Sequence, residues 1–173
     1  MNKVLVVIKG PDSFGKSTLA RQLADRWEAP LVNEAARNYL QKKDSYDESD
    51  LLEIAKIQVA MEQEKTVISE EKLVCDTDLL VILIWSEVKY GSCDPWIRET
   101  FENCFNRKSL TRHYILCDPK IPWQQDRLRE NPYNRDELFA VYLKKLNDYN
   151  LAYSIVRGDP QERLQQALDS FKY

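Results

Sequence analysis

The stretch Val4-Leu5-Val6-Val7-Ile8-Lys9-Gly10-Pro11-Asp12-Ser13-Phe14-Gly15-Lys16-Ser17-Thr18 decides how this chain is read. Its second half fits G-x-x-x-x-G-K-[ST], a loop whose backbone N–H groups cradle phosphates. The glycines allow a tight turn and close approach of the backbone to an anion. In that pattern the Lys16 ammonium suits β- and γ-phosphate oxygens and the Ser17 hydroxyl suits Mg²⁺. Val4 to Ile8 is a continuous apolar run, as expected of a strand buried on both faces of a parallel sheet. Leu19, Leu23 and Trp27 then recur at helical spacing. Strand, Gly-rich loop and helix are the setting this Walker A (P-loop) motif requires, and the helix points its positive end at the anion.

The 173 residues suffice for one domain spanning 1–173 with a proper core. A formal net charge of −3 argues against a dedicated nucleic-acid binder. The four cysteines form no C-x-x-C pair and no zinc spacing. Cys75 and Cys117 lie inside apolar runs and read as small core residues. This is the profile of a reduced, cytoplasmic chain. The first apolar run is too short for a leader and passes straight into the loop. No run reaches membrane-spanning length, so no membrane partner is expected.

Outward from the loop, strands alternate with helices. Apolar periodicity and Gly/Pro punctuation predict strands at 3–9, 30–33, 72–76, 113–117 and 152–156. Helices are predicted over 16–28, 34–43, about 50–71 with Ser49 or Asp50 as cap, 79–88, 95–107, 135–149 and 160–171. This alternation predicts an α/β fold, a parallel sheet with helices on both faces. The segment 118–136 reads as a lid.

The kind of P-loop protein follows by elimination. A small GTPase needs D-x-x-G and N-K-x-D elements, which have no usable place here. An ABC-type ATPase needs a Gly-rich signature, and the chain has only four glycines. AAA+ modules are longer. A small nucleoside- or nucleotide-kinase-like P-loop NTPase remains. Asp76 ends the third strand at the carboxyl edge of the sheet, where α/β folds bind ligands. A carboxylate there suits an acceptor hydroxyl's proton or a Mg²⁺-bound water. Asp78 follows two residues on. Arg127, Arg129 and Arg135, past the fourth strand, are placed to supply cations to the transferring phosphate when a lid closes. Each also suits a solvated face beside Asp126, Glu130 and Asp136.

These residues resemble the ribosylnicotinamide kinase domain of NadR-type proteins. The loop is similar to that family's G-x-E-S-x-G-K-S-T, with Asp12 in place of Glu and Phe14 in place of a small residue. Glu34-Ala35-Ala36-Arg37-Asn38-Tyr39-Leu40 resembles E-x-A-R-x-Y-L, and Asp50, Ile54, Ala55 and Gln58 resemble D-x-x-x-I-A-x-x-Q. Asp76-Thr77-Asp78 matches D-T-D and Trp85-Ser86 matches W-S. Tyr90-Gly91 and Pro95-Trp96 continue the pattern. Ile121-Pro122-Trp123 resembles the end of P-D-I-P-W, behind a reversed Asp118-Pro119. Asp126 and Arg129 resemble D-G-x-R, with Arg127 replacing the Gly. Tyr153, Val156, Gly158 and Arg163 match the tail.

The resemblance implies strand order 2-3-1-4-5 and transfer of the ATP γ-phosphate to the 5′-hydroxyl of nicotinamide riboside. Carried over by position, Gly10, Asp12, Ser13, Phe14, Gly15, Lys16, Ser17 and Thr18 serve ATP, with Gly158 and Arg163 beside the adenine. Ser17 and Asp76 serve Mg²⁺. Lys16, Asp76, Arg127 and Arg129 carry catalysis. Asp12, Glu34, Arg37 and Asp78 face the acceptor, and Trp85, Tyr90, Trp96 and Trp123 are candidates to stack on its flat, cationic base. Taken singly, each Trp suits core packing better than stacking. The fused adenylyltransferase of better-known members needs H-x-G-H. The single histidine, His113, cannot supply it, so a stand-alone kinase is expected. A nucleotide-dependent switch and a kinase for another nucleoside are the alternatives. Homo-oligomerisation is left open.

Overall fold

The computed structural model describes residues 3–11, 15–106, 110–120 and 134–172. Five strands form one parallel sheet: β1 (Lys3–Lys9), β2 (Leu31–Val32), β3 (Lys72–Asp76), β4 (Leu110–Cys117) and β5 (Tyr153–Val156). Their order is β2-β3-β1-β4-β5, as the resemblance implied. The helices are α1 (Lys16–Trp27), α2 (Ala35–Leu40), α3 (Glu48–Ile68), α4 (Leu79–Tyr90), α5 (Pro95–Asn103), α6 (Arg135–Asp148) and α7 (Pro160–Asp169). A 3₁₀ turn at Cys104–Asn106 follows α5.

Alternation along the central strand builds two cores. Leu5 and Val7 of β1 face a core shared with Leu51, Ile54 and Ala55 of α3 and Leu80, Leu83 and Ile84 of α4. Val6 and Ile8 face the other, shared with Leu19, Ala20 and Leu23 of α1 and Ala167 of α7. Residues two apart on a strand share a face, so helices must cover both sides of β1. Each fully buried leucine contributes about 1.5–3 kcal/mol relative to exposure.

Several boundaries differ from the sequence expectation. The cap of α3 is Asp47 rather than Ser49 or Asp50. Asp47 accepts from Ser49 N at 2.9 Å, and Asp50 Oδ2 accepts from Asp47 N at 3.0 Å, a reciprocal capping box. β4 begins at Leu110 instead of 113, because β1 pairs with it from Lys3↔Leu110 onward. α2 stops at Leu40 and α5 at Asn103, both short of expectation. Among the described residues, no helix is long and apolar enough to cross a membrane. None of the four cysteines forms a disulfide, and Cys75 and Cys117 are buried as expected.

Candidate active site

β1 delivers the chain to Gly10 at the carboxyl edge of the sheet. Gly10 has φ +147°, and a Cβ there would lie 2.8 Å from the Cys117 carbonyl oxygen. The loop thus lies directly on the end of β4, and only glycine fits. Gly15 (φ +107°) is the N-cap of α1, so among the described residues no side chain caps this helix. By contrast, Asp47, Asp78, Asp94 and Asp159 cap α3, α4, α5 and α7. The first turn of α1 also has no acidic residue. Its N-terminal amides and positive dipole end are therefore left for an anion. Lys16 Nζ donates to the Pro11 carbonyl at 2.9 Å, which holds the ammonium over the loop. Ser17 is half-buried and Thr18 exposed. Asp12, Ser13 and Phe14 lie outside the described residues.

Asp76 closes β3 beside the loop, in register with Ile8. Its carboxylate is buried, and Oδ1 has no hydrogen-bond partner among the described residues. A buried, unpartnered carboxylate oxygen is costly unless something else satisfies it. Burial pushes the neighbouring Cys117 thiol up, while the Arg163 and Lys16 charges pull it down and Asp76 adds to the rise. Cys117 thus feels Lys16, Asp76 and Arg163 together, at the floor of one site.

Asp78 has a different fate. Its Oδ1 meets Lys9 Nζ at 2.5 Å and accepts from Leu80 N at 3.0 Å, capping α4. Its Oδ2 meets Arg112 Nη1 at 3.1 Å and accepts from Tyr114 OH at 3.0 Å. Arg112 continues to Glu62 of α3 through both terminal nitrogens. Lys9 is 0% exposed and Asp78 1%. Burial lowers the Lys9 ammonium pKa against the pull of Asp78. Burial alone would raise the Asp78 carboxyl, but Lys9 and Arg112 hold it below the usual range. The sequence assigned Asp78 to the acceptor, whereas its carboxylate oxygens are engaged inside the protein.

Glu34 is the N-cap of α2 and lies 3.7 Å from Arg37 Nε. Gln58 of α3 grips the backbone on both sides of it, accepting from Ala35 N at 2.9 Å and donating to Asn33 O at 3.5 Å. Nearby, Asp50 accepts from Tyr39 OH at 2.8 Å and pairs with Lys43. The Lys43 contact, the Asp47 amide and the Tyr39 hydroxyl hold the Asp50 carboxyl at about 2.

The aromatic candidates are dispersed. Trp85 packs edge-on against Tyr46 and donates its indole N–H to the Tyr46 hydroxyl at 3.2 Å. Tyr90 packs at the margin of the larger core. Trp96 is 37% exposed on α5. Trp123, Arg127 and Arg129 lie outside the described residues, as does most of the expected lid.

At the far edge, Arg163 is buried. Its Nε donates to Gly158 O at 2.9 Å and its Nη2 to Asp118 O at 2.7 Å, tying the start of α7 to the end of β4. Gly158 takes φ +88°. Burial works to raise the Asp118 carboxyl, but the Lys120 amide and the Arg157 guanidinium, 2.9 Å away, hold it below the usual range. His113 contacts Ser154 Oγ at 2.9 Å and the Phe171 ring edge, a packing role away from this edge.

Sequence reasoning missed Lys9, Arg112, Glu62 and the grip of Gln58. One signal was available: a lysine closing an apolar strand just before the first loop glycine, where a hydrophobe would suffice for packing.

The fold matches solved P-loop kinases. The NadR protein in complex with NR superposes with TM-score 0.76 at 21% identity, over 98% of this chain and 50% of that one. The NadR protein in complex with NAD and AMP-PNP gives TM-score 0.69 at 20% identity, over 97% and 49%. The chain therefore spans about half the length of the NadR chains it resembles. A thymidylate kinase from Ehrlichia chaffeensis gives TM-score 0.68 at 13% identity, over 99% and 100%. At these identities the likeness is one of fold. No curated protein sequence matches the chain significantly. Residues 5–163 match a family described as an AAA domain, so setting AAA-type modules aside on length was mistaken. By that match across most of its length, the chain belongs to the AAA_28 family of AAA domains, with the five-stranded parallel fold of P-loop kinases.

Proposed function

We propose that the chain is an ATP-dependent kinase that phosphorylates the 5′-hydroxyl of nicotinamide riboside, giving nicotinamide mononucleotide and ADP. The observation that carries this reading is the buried Asp76 Oδ1, without a hydrogen-bond partner among the described residues, at the same sheet edge as the glycine cradle and Lys16. That oxygen and the Ser17 hydroxyl fit Mg²⁺, which ordinarily takes one or two protein ligands plus substrate phosphates. Bound there, Mg²⁺ would supply charge neutralisation at the phosphate oxygens.

The chain's own residues do the rest. The amides opening α1 and Lys16 bind the phosphate oxygens and favour charge moving onto the leaving ADP. Asp12, Ser13, Phe14, Gly15 and Thr18 are the further candidates of the motif to serve ATP. Asp76 receives the acceptor proton, directly or through a water, as the new oxygen–phosphorus bond forms and the β–γ bridge breaks. Glu34 and Arg37 orient the acceptor ribose. Trp85, Tyr90, Trp96 and Trp123 are the stacking candidates for its base. Gly158 borders the adenine, with Arg163 supporting that loop from below. Arg127 and Arg129 are the candidates to supply cations to the transferring phosphate.

The test is ADP release with ATP, MgCl₂ and nicotinamide riboside, with the mononucleotide detected by mass. Mononucleotide formation supports the proposal. ADP without mononucleotide supports the second reading, a nucleotide-driven switch, which the AAA-domain match favours. Turnover of another nucleoside keeps the kinase and replaces the acceptor.

A further inference from the structure

Two carboxylates stand two residues apart in Asp76-Thr77-Asp78, and the residue between them carries an unusual backbone. Thr77 has φ +68°. A β-branched residue in the left-handed region is a genuine outlier, and such conformations persist only where the surroundings over-determine them. The surroundings here are specific. Thr77 N donates to Ile8 O at 3.2 Å. One residue further along β1, Lys9 Nζ reaches Asp78 Oδ1 at 2.5 Å and the Asp78 carbonyl at 3.2 Å. Arg112, Tyr114 OH and Leu80 N take the remaining valences of the Asp78 carboxylate.

We infer that Lys9 and Asp78 form a positioning clamp that holds Thr77 left-handed and thereby aims Asp76 at the metal–nucleotide site. This rests on the reading of Asp76 as the residue serving Mg²⁺ and the acceptor proton. Three features argue for geometry over stability. A buried ion pair is often no more stabilising than well-packed apolar residues. Ile8 O and Lys9 Nζ, adjacent on β1, hold Thr77 N and Asp78 respectively, so one strand end grips the Asp76 turn on both sides of Thr77. Asp78 also starts α4, so the clamp's far end is anchored to a buried helix. Lys9 and Asp78 touch no reacting atom and act through Asp76.

The test uses the full chain with AMP-PNP, measured by calorimetry with and without MgCl₂, alongside amide exchange at Thr77. The variant Lys9→Met should reduce the Mg²⁺-dependent tightening of AMP-PNP about tenfold, the usual scale for a partner that orients a metal ligand. Metal-free AMP-PNP affinity should stay within about twofold, and the Thr77 amide should exchange faster. Adding Thr77→Gly should recover most of the Mg²⁺ effect, since glycine holds a positive φ without a clamp. A lysine that mattered only for folding would weaken both affinities together and would not be rescued in this way. Mg²⁺-dependent tightening within twofold of wild type in folded Lys9→Met overturns the clamp. If Lys9→Met fails to fold, Tyr114→Phe removes one Asp78 hydrogen bond and should shift the same ratio in the same direction. An unchanged ratio there also overturns the clamp. Asp76→Asn separates the two ideas. Loss of the Mg²⁺ effect in Asp76→Asn but not in Lys9→Met refutes the clamp alone. A retained effect in Asp76→Asn refutes the site reading and the clamp with it.

Discussion

Replacing Gly10 by alanine tests whether the loop lies on the end of β4 as described. The new Cβ would stand 2.8 Å from the Cys117 carbonyl oxygen and 3.3 Å from the Cys117 Cβ. Neither neighbour can easily yield. Cys117 is paired with Val156 of β5, Asp118 N donates to Val156 O at 3.0 Å, and Arg163 grips the Asp118 carbonyl. The φ of +147° adds backbone strain for any side chain. Strain of this kind costs about 1–3 kcal/mol, and overpacking against a fixed neighbour costs about as much again. Together the loss is about 2–6 kcal/mol. For a chain of this size each kcal/mol lowers Tm by about 2–4 °C, so a fall of roughly 4–24 °C is expected. In urea, with a slope of about 2 kcal/mol/M, the midpoint should move down by about 1–3 M at unchanged slope. Far-UV circular dichroism across a urea series, with and without AMP-PNP and MgCl₂, measures both the midpoint and the loss of ligand stabilisation. A midpoint within about 0.2 M of wild type would refute the close approach of loop and strand.

Three further outcomes are expected. Lys16→Ala should lower turnover by about 10²–10³, the scale of removing one electrostatic donor to a transition state, and steady-state ADP release measures it. Gln58→Leu leaves the buried Ala35 N–H without its acceptor and should cost about 1–3 kcal/mol in urea unfolding. Because that amide adjoins Glu34, the acceptor KM should rise more than the ATP KM; equal changes would detach Glu34 from the acceptor. Asp50 titrates at about 2 in the fold against an ordinary 3.8, so its stabilisation is complete above pH 4 or so and is lost as pH falls toward 2. Acid unfolding of Asp50→Asn should lack that part of the slope, and an identical acid limb in both proteins would contradict the Tyr39–Asp50–Lys43 arrangement.

The layers of this fold were legible because each is written locally. Apolar runs mark the buried strands, and a glycine-bounded loop with a lysine marks the joint after β1. The errors at helix ends have a local cause too. Asp47 caps α3 from within a polar run where Ser49 and Asp50 are equally good capping residues, and only the backbone path tells them apart. The charged network under the site was not legible for a different reason. Glu62, Asp78 and Arg112 come from three separate elements, and they meet only because β1 and β4 pair with Leu5 opposite Arg112. A strand starting at 113 leaves Arg112 just outside it, with no face assigned. Within the strand, alternation puts Arg112 on the same face as Tyr114 and Leu116, the face of the larger core.

The two aspartates of the third strand show how much one backbone angle decides. Along β3, Leu73 and Cys75 face the larger core and Val74 the smaller one, so alternation assigns Asp76 to the side of Val74 and α1. Continued alternation would send Asp78 to that same side, and the resemblance to D-T-D likewise gave both carboxylates to the site. The left-handed Thr77 breaks the period. Asp78 is carried to the opposite face, where Lys9, Arg112 and Tyr114 take it up, while Asp76 keeps an oxygen without a partner among the described residues. A threonine gives no sequence signal for positive φ, since only glycine, asparagine and aspartate take it readily. The signal lay instead in Lys9, a charge with no solvent to reach, whose counter-ion had to come from a residue that the sequence had assigned to a ligand.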